Sequence, residues 1–222
     1  MPTRREQVEE MVFSALEDIS QELGLPVHRY PEVYWIGRNG FSFSDVCLPA
    51  SFRSFFERNR VCGDSFTCDS QPVICIGRYN VGDIAEEATH FLHSSLSPIK
   101  TGSLSEDEAV SFQILSEALA YFGSKLIYPQ RQSDFVNLPD FSSMTLSQQS
   151  RLVSFITRFS RGSLSLQDFV IHQRGYALGD ALFCAYSCNH ISAPQIAYLF
   201  RKRFDYTRDA TQTLSSLSAR FS

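Results

Sequence analysis

Residues 106–128 carry one long run of helical spacing, and this run constrains the fold more than any other feature. Ile114, Leu115, Ala118, Leu119, Phe122 and Leu126 recur at the three-and-four interval of one helix face, and Pro129 closes the run. Glu117 stands inside that apolar set, in Ser116-Glu117-Ala118-Leu119-Ala120-Tyr121. A carboxylate among buried neighbours is costly unless it is paired or binds a metal, so Glu117 is a functional candidate. Glu106 and Glu108 lie at the polar start of the same helix, where the macrodipole accounts for them without function.

The rest of the chain arranges itself around this helix. Residues 5–23 read as an amphipathic helix through Val8, Met11, Val12, Ala15, Leu16, Ile19 and Leu23, and Gly24 stops it. Residues 27–36 are aromatic and β-branched, with Pro31 marking an edge or a bulge. Asn39-Gly40 is a turn signal, and residues 41–46 suit a return strand. Residues 51–60 suit a short helix. Ser65–Cys68 and Val73–Ile76 read as two short strands around a turn. A helix over residues 84–95 follows, with Asp83 as its predicted N-cap. Further helices are expected over 145–161, with Leu146, Leu152, Val153, Ile156 and Phe159 facing the core, and over 166–189 and 193–204. The Ser/Thr-rich tail from Thr207 suits a weak helix. The class is α+β, in one domain: a sheet-rich part at 1–80, a helical body at 81–205 and a tail at 206–222.

Composition excludes several functions. The 222 residues are 43% hydrophobic and 20% charged, with a net charge of -4. That is enough for one sizeable core. It gives no positive field to hold nucleic acid or an anionic membrane. No run of about 18 apolar residues marks a membrane span. The first residues lack the apolar stretch of a signal peptide, so a cytoplasmic protein is expected. The six cysteines, Cys47, Cys62, Cys68, Cys75, Cys184 and Cys188, form no CxxC pair and read as reduced, small buried hydrophobes.

Chemistry concentrates in Glu86-Glu87-Ala88-Thr89-His90. Each residue of an α-helix advances about 100°, so Glu86 and His90 share one face, with Glu87 a quarter-turn away. This is the geometry of the HExxH signature, in which side chains at i and i+4 bind zinc and the glutamate at i+1 is the general base. Here the pattern reads EExxH. Zinc hydrolase sites keep three protein ligands and a water, and Glu117 is the best third member.

An HExxH-like helix behind short strands, a following helix with a glutamate in an ExxA-like setting, and the late segment Gly175-Tyr176-Ala177-Leu178-Gly179 together resemble the gluzincin branch of the zincin metallopeptidases. The resemblance covers roughly residues 65–205. It implies a zincin-like fold with Glu86, His90 and Glu117 as metal ligands and Glu87 as general base. Its substrate would be a peptide or protein, with zinc foremost as the ion and manganese or iron as alternatives. Tyr176 or His172 would supply the oxyanion donor.

The departure at Glu86 has an electrostatic consequence. Two histidines and one glutamate leave a zinc site near +1, whereas Glu86, His90 and Glu117 leave it near 0. The pKa of a bound water should then rise above about 7, weakening hydrolysis at neutral pH. Carboxylate-rich sets also suit harder ions. The contrasting expectation is a catalytically silent zincin-fold module that binds a peptide or partner protein. A carboxylate-bridged iron protein is disfavoured, because no second ExxH accompanies Glu87 and His90. His93, also on the His90 face, reads as supporting or solvent-facing, since three consecutive turns converge poorly on one ion. Gly175 and Gly179 read as close-packing positions, and Asp180 as an outer neighbour of the site.

Overall fold

The computed structural model describes residues 2–35, 63–68, 71–77, 79–97, 104–133, 143–160, 165–204 and 209–221. The return strand expected at 41–46 and the helix at 51–60 lie outside them. Among the described residues, seven helices and three strands follow in the order α1 (Arg4–Leu23), β1 (Glu32–Trp35), β2 (Gly63–Cys68), β3 (Gln71–Ile76), α2 (Val81–Leu96), α3 (Glu106–Ile127), α4 (Leu146–Ser160), α5 (Leu166–Ser187), α6 (Ala193–Arg201) and α7 (Asp209–Phe221). The described part is mostly helical with one small sheet, an α+β arrangement.

Local chemistry explains the ends of α1. Thr3 and Glu6 form a reciprocal capping box, and Gly24 takes the left-handed conformation at φ 62°. The chain then runs through Leu25 into β1, which begins directly after Pro31. The sheet order is β1-β3-β2. β2 and β3 form the expected antiparallel pair, with Gly63 opposite Ile76 and Cys68 opposite Gln71. β1 lies parallel to β3, in register from Glu32 and Val73 to Trp35 and Ile76. As the central strand, β3 is buried on both faces, which suits its uninterrupted apolar run from Val73 to Ile76.

α2 starts one turn earlier than its sequence suggests. Asn80, not Asp83, is the N-cap: its side-chain oxygen accepts from the N–H groups of Gly82 and Asp83 at 2.8 and 3.2 Å. Asp83 sits instead in the first turn, where its charge favours the helix dipole. α2 packs against α1, the sheet and α3, and α3 packs in turn against α5 and α7. The core joins α1, the sheet, α2, α3 and the C-terminal helices in one cluster. α4 stands apart, touching α5, with Leu146 and Val153 exposed rather than in the core. Cys184 and Cys188 are also exposed, contrary to the buried reading, whereas Cys75 is buried.

The contacts of α3 with its neighbours are unusually close. A Cβ on Gly175 would lie 2.3 Å from Glu117 Cβ, and one on Gly179 would lie 2.5 Å from the Ala118 carbonyl oxygen. Where α2 meets α3, a Cβ on Gly123 would lie 2.3 Å from Thr89 Oγ1. Both expected close-packing glycines of α5 therefore meet the α3 segment that carries Glu117.

Glu108 has a role beyond the dipole of its own helix. It is 3% exposed, and its carboxylate accepts from the backbone N–H groups of Ala210 at 2.9 Å and Thr211 at 3.3 Å. A carboxylate of α3 thus caps the N-terminus of α7, where unpaired N–H groups and the positive dipole end coincide. Glu108→Ala should cost about 1–2 kcal/mol in urea unfolding, the loss of a strong cap. It should also lower hydrogen-exchange protection selectively in 209–221, while the neighbouring exposed Glu106→Ala leaves both unchanged.

Candidate metal centre

The site lies where α2, α3 and α5 converge, joined by Arg131 from the segment after α3. Donor atoms of Glu86, His90 and Glu117 lie within 4.8 Å of one another. Glu86 is buried at 7% exposure, and the His90 and Glu117 side chains are about one-sixth exposed, at 17% and 16%. Two carboxylates and an imidazole at this spacing offer the donor types of zinc and of harder divalent ions. By its donor chemistry the group could therefore hold a divalent metal.

Each ligand candidate is already engaged. His90 Nε2 lies 3.5 Å from Glu117 Oε2, and its Nδ1 lies 3.2 Å from Ser116 Oγ. The Glu86 carboxylate is held at both ends: Arg131 donates to Oε2, and the Tyr176 hydroxyl donates to Oε1 at 2.5 Å. Arg131 also donates to the Gly82 carbonyl and lies 3.5 Å from Asp83. Its guanidinium is within 5.2 Å of the Tyr121 ring centroid and 5.9 Å of that of Tyr176.

The other predicted residues arrange around this group. Glu87 is half-buried on α2, close enough that its charge raises the His90 pKa. His172, on α5, places Nε2 3.7 Å from Glu117 Oε2, and its Nδ1 lies 2.7 Å from the Asp168 carbonyl. The Tyr176 hydroxyl points at Glu86 rather than at an open position. Tyr121 and Tyr176 stack with centroids 4.6 Å apart. Asp180 lies outside the centre and instead pairs with Lys125.

His93 faces the interior. It is 1% exposed, stacks on Phe112 and meets Phe200 edge-on. Its Nδ1 lies 3.4 Å from Ser116 Oγ, so one hydroxyl stands between the two histidines of α2. His93 Nε2 has no hydrogen-bond partner among the described residues. Burial, reinforced by the nearby positive charge of His90, lowers the His93 pKa to about 3, so its ring stays neutral.

Burial alone would lower the pKa of His90. The Glu117 carboxylate outweighs it, helped by Glu87 and Glu86, and raises the value to about 10. Burial would raise the pKa of Glu117, yet His90, His172 and Arg131 together hold it below the ordinary value. Burial, then Glu86 and Glu117, push the Tyr176 hydroxyl well up, so it remains a donor. Without an ion, Arg131 neutralises Glu86 and protonated His90 neutralises Glu117, while Asp83 and Glu87 add negative charge beside these pairs.

Arg131 and Ser116 are the residues that sequence reasoning missed. Arg131 follows Pro129, in a stretch without periodicity. Ser116 sits next to Glu117 but carries no charge to mark it. Neither a family model, nor a curated protein, nor a solved structure matches this chain.

The paired charges predict a pH dependence for chelator-treated protein. His90 has a raised folded pKa, so its contribution is complete below its unfolded value of about 6.5 and is lost as pH rises toward 10. Glu117 has a lowered folded pKa, so its contribution is present above about 4.3 and is lost as pH falls further. Urea midpoints should therefore peak near pH 5–6.5. His90→Ala should cost about 1–3 kcal/mol at that maximum and remove the alkaline decline.

Proposed function

We propose that this cluster is a divalent-metal centre, and that the chain is a metal-dependent hydrolase of peptide or amide bonds resembling the gluzincin metallopeptidases. The observation that carries the reading is the convergence of Glu86, His90 and Glu117 donor atoms from two helices within 4.8 Å. His90 and Glu117 would hold the ion, with Glu86 beside them, and zinc suits such a mixed nitrogen and oxygen set. A bound divalent ion would supply Lewis acidity and lower the pKa of a coordinated water.

The chain's own groups have definite tasks in this reading. Glu87 takes the proton of the attacking water and passes it to the leaving amine. Tyr176 and His172 line the opposite wall on α5 and serve as donors toward developing negative charge. Tyr176 must leave Glu86 Oε1 to do so, which couples its release to substrate entry. Arg131 offsets the electrostatic penalty anticipated for EExxH. With Glu86 and Arg131 cancelling, neutral His90, Glu117 and a doubly charged ion sum to about +1, the value of a two-histidine, one-glutamate site.

A second reading has an observation of its own. Arg131 and Tyr176 occupy both oxygens of Glu86, and protonated His90 already serves Glu117 as a counter-charge. That arrangement suits a catalytically silent module that binds a peptide or partner protein.

Metal analysis of protein purified without chelator separates the two readings. The hydrolase reading expects one ion per chain, lost in His90→Ala and Glu117→Ala, and turnover of unstructured peptide substrates. Glu87→Gln should keep the ion and lower turnover by about 100-fold or more, the scale of a lost general base. Metal-free wild-type protein that stays metal-free on dialysis against zinc, manganese and iron(II) would favour the silent module.

A further inference from the structure

We propose that His172 supplies the nitrogen donor that the EExxH helix lacks, so that the ion is held by His90, Glu117 and His172 while Arg131 and Tyr176 keep Glu86 back. The inference rests on the metal-centre reading; it replaces one member of its ligand set and leaves the donor role on α5 to Tyr176 alone.

Two imidazoles flank the same carboxylate oxygen. Glu117 Oε2 lies 3.5 Å from His90 Nε2 and 3.7 Å from His172 Nε2. In a tetrahedral zinc site with bonds of about 2.0–2.1 Å, neighbouring donors stand about 3.3–3.4 Å apart. Both separations are close to such an edge. His172 lies outside the trio of Glu86, His90 and Glu117, so binding must draw its ring inward. Its side chain is the most exposed of the three, at 34% against 17% for His90 and 16% for Glu117.

The hydrogen bond at the far side of the ring favours the required tautomer. His172 Nδ1 lies 2.7 Å from the Asp168 carbonyl oxygen, which can only accept. Nδ1 therefore carries a proton, which leaves Nε2, on the Glu117 side of the ring, as the nitrogen available to an ion. A backbone carbonyl behind one ring nitrogen is the usual support for a histidine that ligates through the other. His90 has similar support from Ser116 Oγ, 3.2 Å from its Nδ1.

Glu86 is poorly placed to compete. One oxygen is held by the Arg131 guanidinium and the other by the Tyr176 hydroxyl. Ligation through Glu86 would have to displace the Tyr176 hydroxyl or share an oxygen with the Arg131 guanidinium, whereas ligation through His172 leaves both contacts intact. Two neutral histidines, one carboxylate and a doubly charged ion sum to +1, which acidifies a bound water more than the near-zero sum of a set with two carboxylates and one histidine.

The test compares wild type, Glu86→Gln and His172→Ala as full-length, chelator-treated chains, titrated with zinc and with cobalt(II). Calorimetry reads affinity, and the visible cobalt bands read coordination number. Wild type and Glu86→Gln should each bind one ion and give matching cobalt spectra, with any loss of affinity in Glu86→Gln due to the uncompensated Arg131 charge and not to a missing ligand. His172→Ala should lose about 100-fold or more in affinity, at or beyond the upper range for disturbing a ligand's support. Added imidazole should restore its cobalt bands, which separates a missing ligand from a misfolded chain. The proposal is overturned if His172→Ala binds like wild type while Glu86→Gln loses the ion; the metal centre then stands with Glu86 as its third ligand. A wild-type chain that takes up neither ion overturns the metal-centre reading itself, and this ligand set with it.

Discussion

The candidate centre depends on how closely α3 and α5 approach. Gly175 and Gly179 are one helical turn apart, and at both positions an added Cβ would collide with α3. Without those side chains, the α5 backbone lies directly on the turn that contains Glu117 and Ala118. His172, one turn before Gly175, is thereby placed beside Glu117, and Tyr176, the next residue, reaches Glu86. The same device operates between α2 and α3, where Gly123 receives Thr89. Three helices contribute to the cluster because two of their crossings are made by glycine. Interiors at crystal-like density do not absorb such an added methyl by small shifts spread over many residues.

Electrostatics complete what packing begins. A buried carboxylate or guanidinium is costly alone, and the cost is met only by good partners. Glu86 receives Arg131 and Tyr176, and Glu117 receives His90 and His172. Ser116 links the centre to the interior, since its hydroxyl stands between Nδ1 of His90 and Nδ1 of His93. A hydroxyl can accept one proton and donate another, so it satisfies both rings when His90 donates and His93 accepts. That assignment leaves the His93 Nε2 proton against Phe112 and Phe200, which accounts for the one orphaned nitrogen in the cluster.

Much of this was legible in the residues, and the limits have physical causes. α3 was readable almost to its last residue because its apolar spacing and Pro129 both act locally. Glu117 was conspicuous as a charge within an apolar stripe, and the convergence of Glu86 with His90 followed from helical periodicity. The parallel pairing of β1 with β3 was not readable, because it joins segments distant in sequence without a local turn signal. Asn80 and Asp83 are both good caps, so local chemistry could not decide between them. Glu108 looked fully explained by its own helix, and its capping of α7 depends on a partner about a hundred residues away. Arg131 was hidden for the same reason: a loop arginine is ordinary until the fold shows what it faces.

Arg131 also changes the meaning of the glutamate at position 86. In the sequence, Glu86 looks like a one-letter departure from HExxH, repairable by a histidine. In the folded chain it is half of a pair whose other half is an arginine with a side chain only 11% exposed. A neutral histidine at position 86 would leave the guanidinium facing Asp83 at 3.5 Å as its remaining carboxylate partner. Breaking a buried pair by removing one member costs about 3–5 kcal/mol. Glu86 and Arg131 are therefore a single two-residue arrangement, which a histidine at position 86 would break.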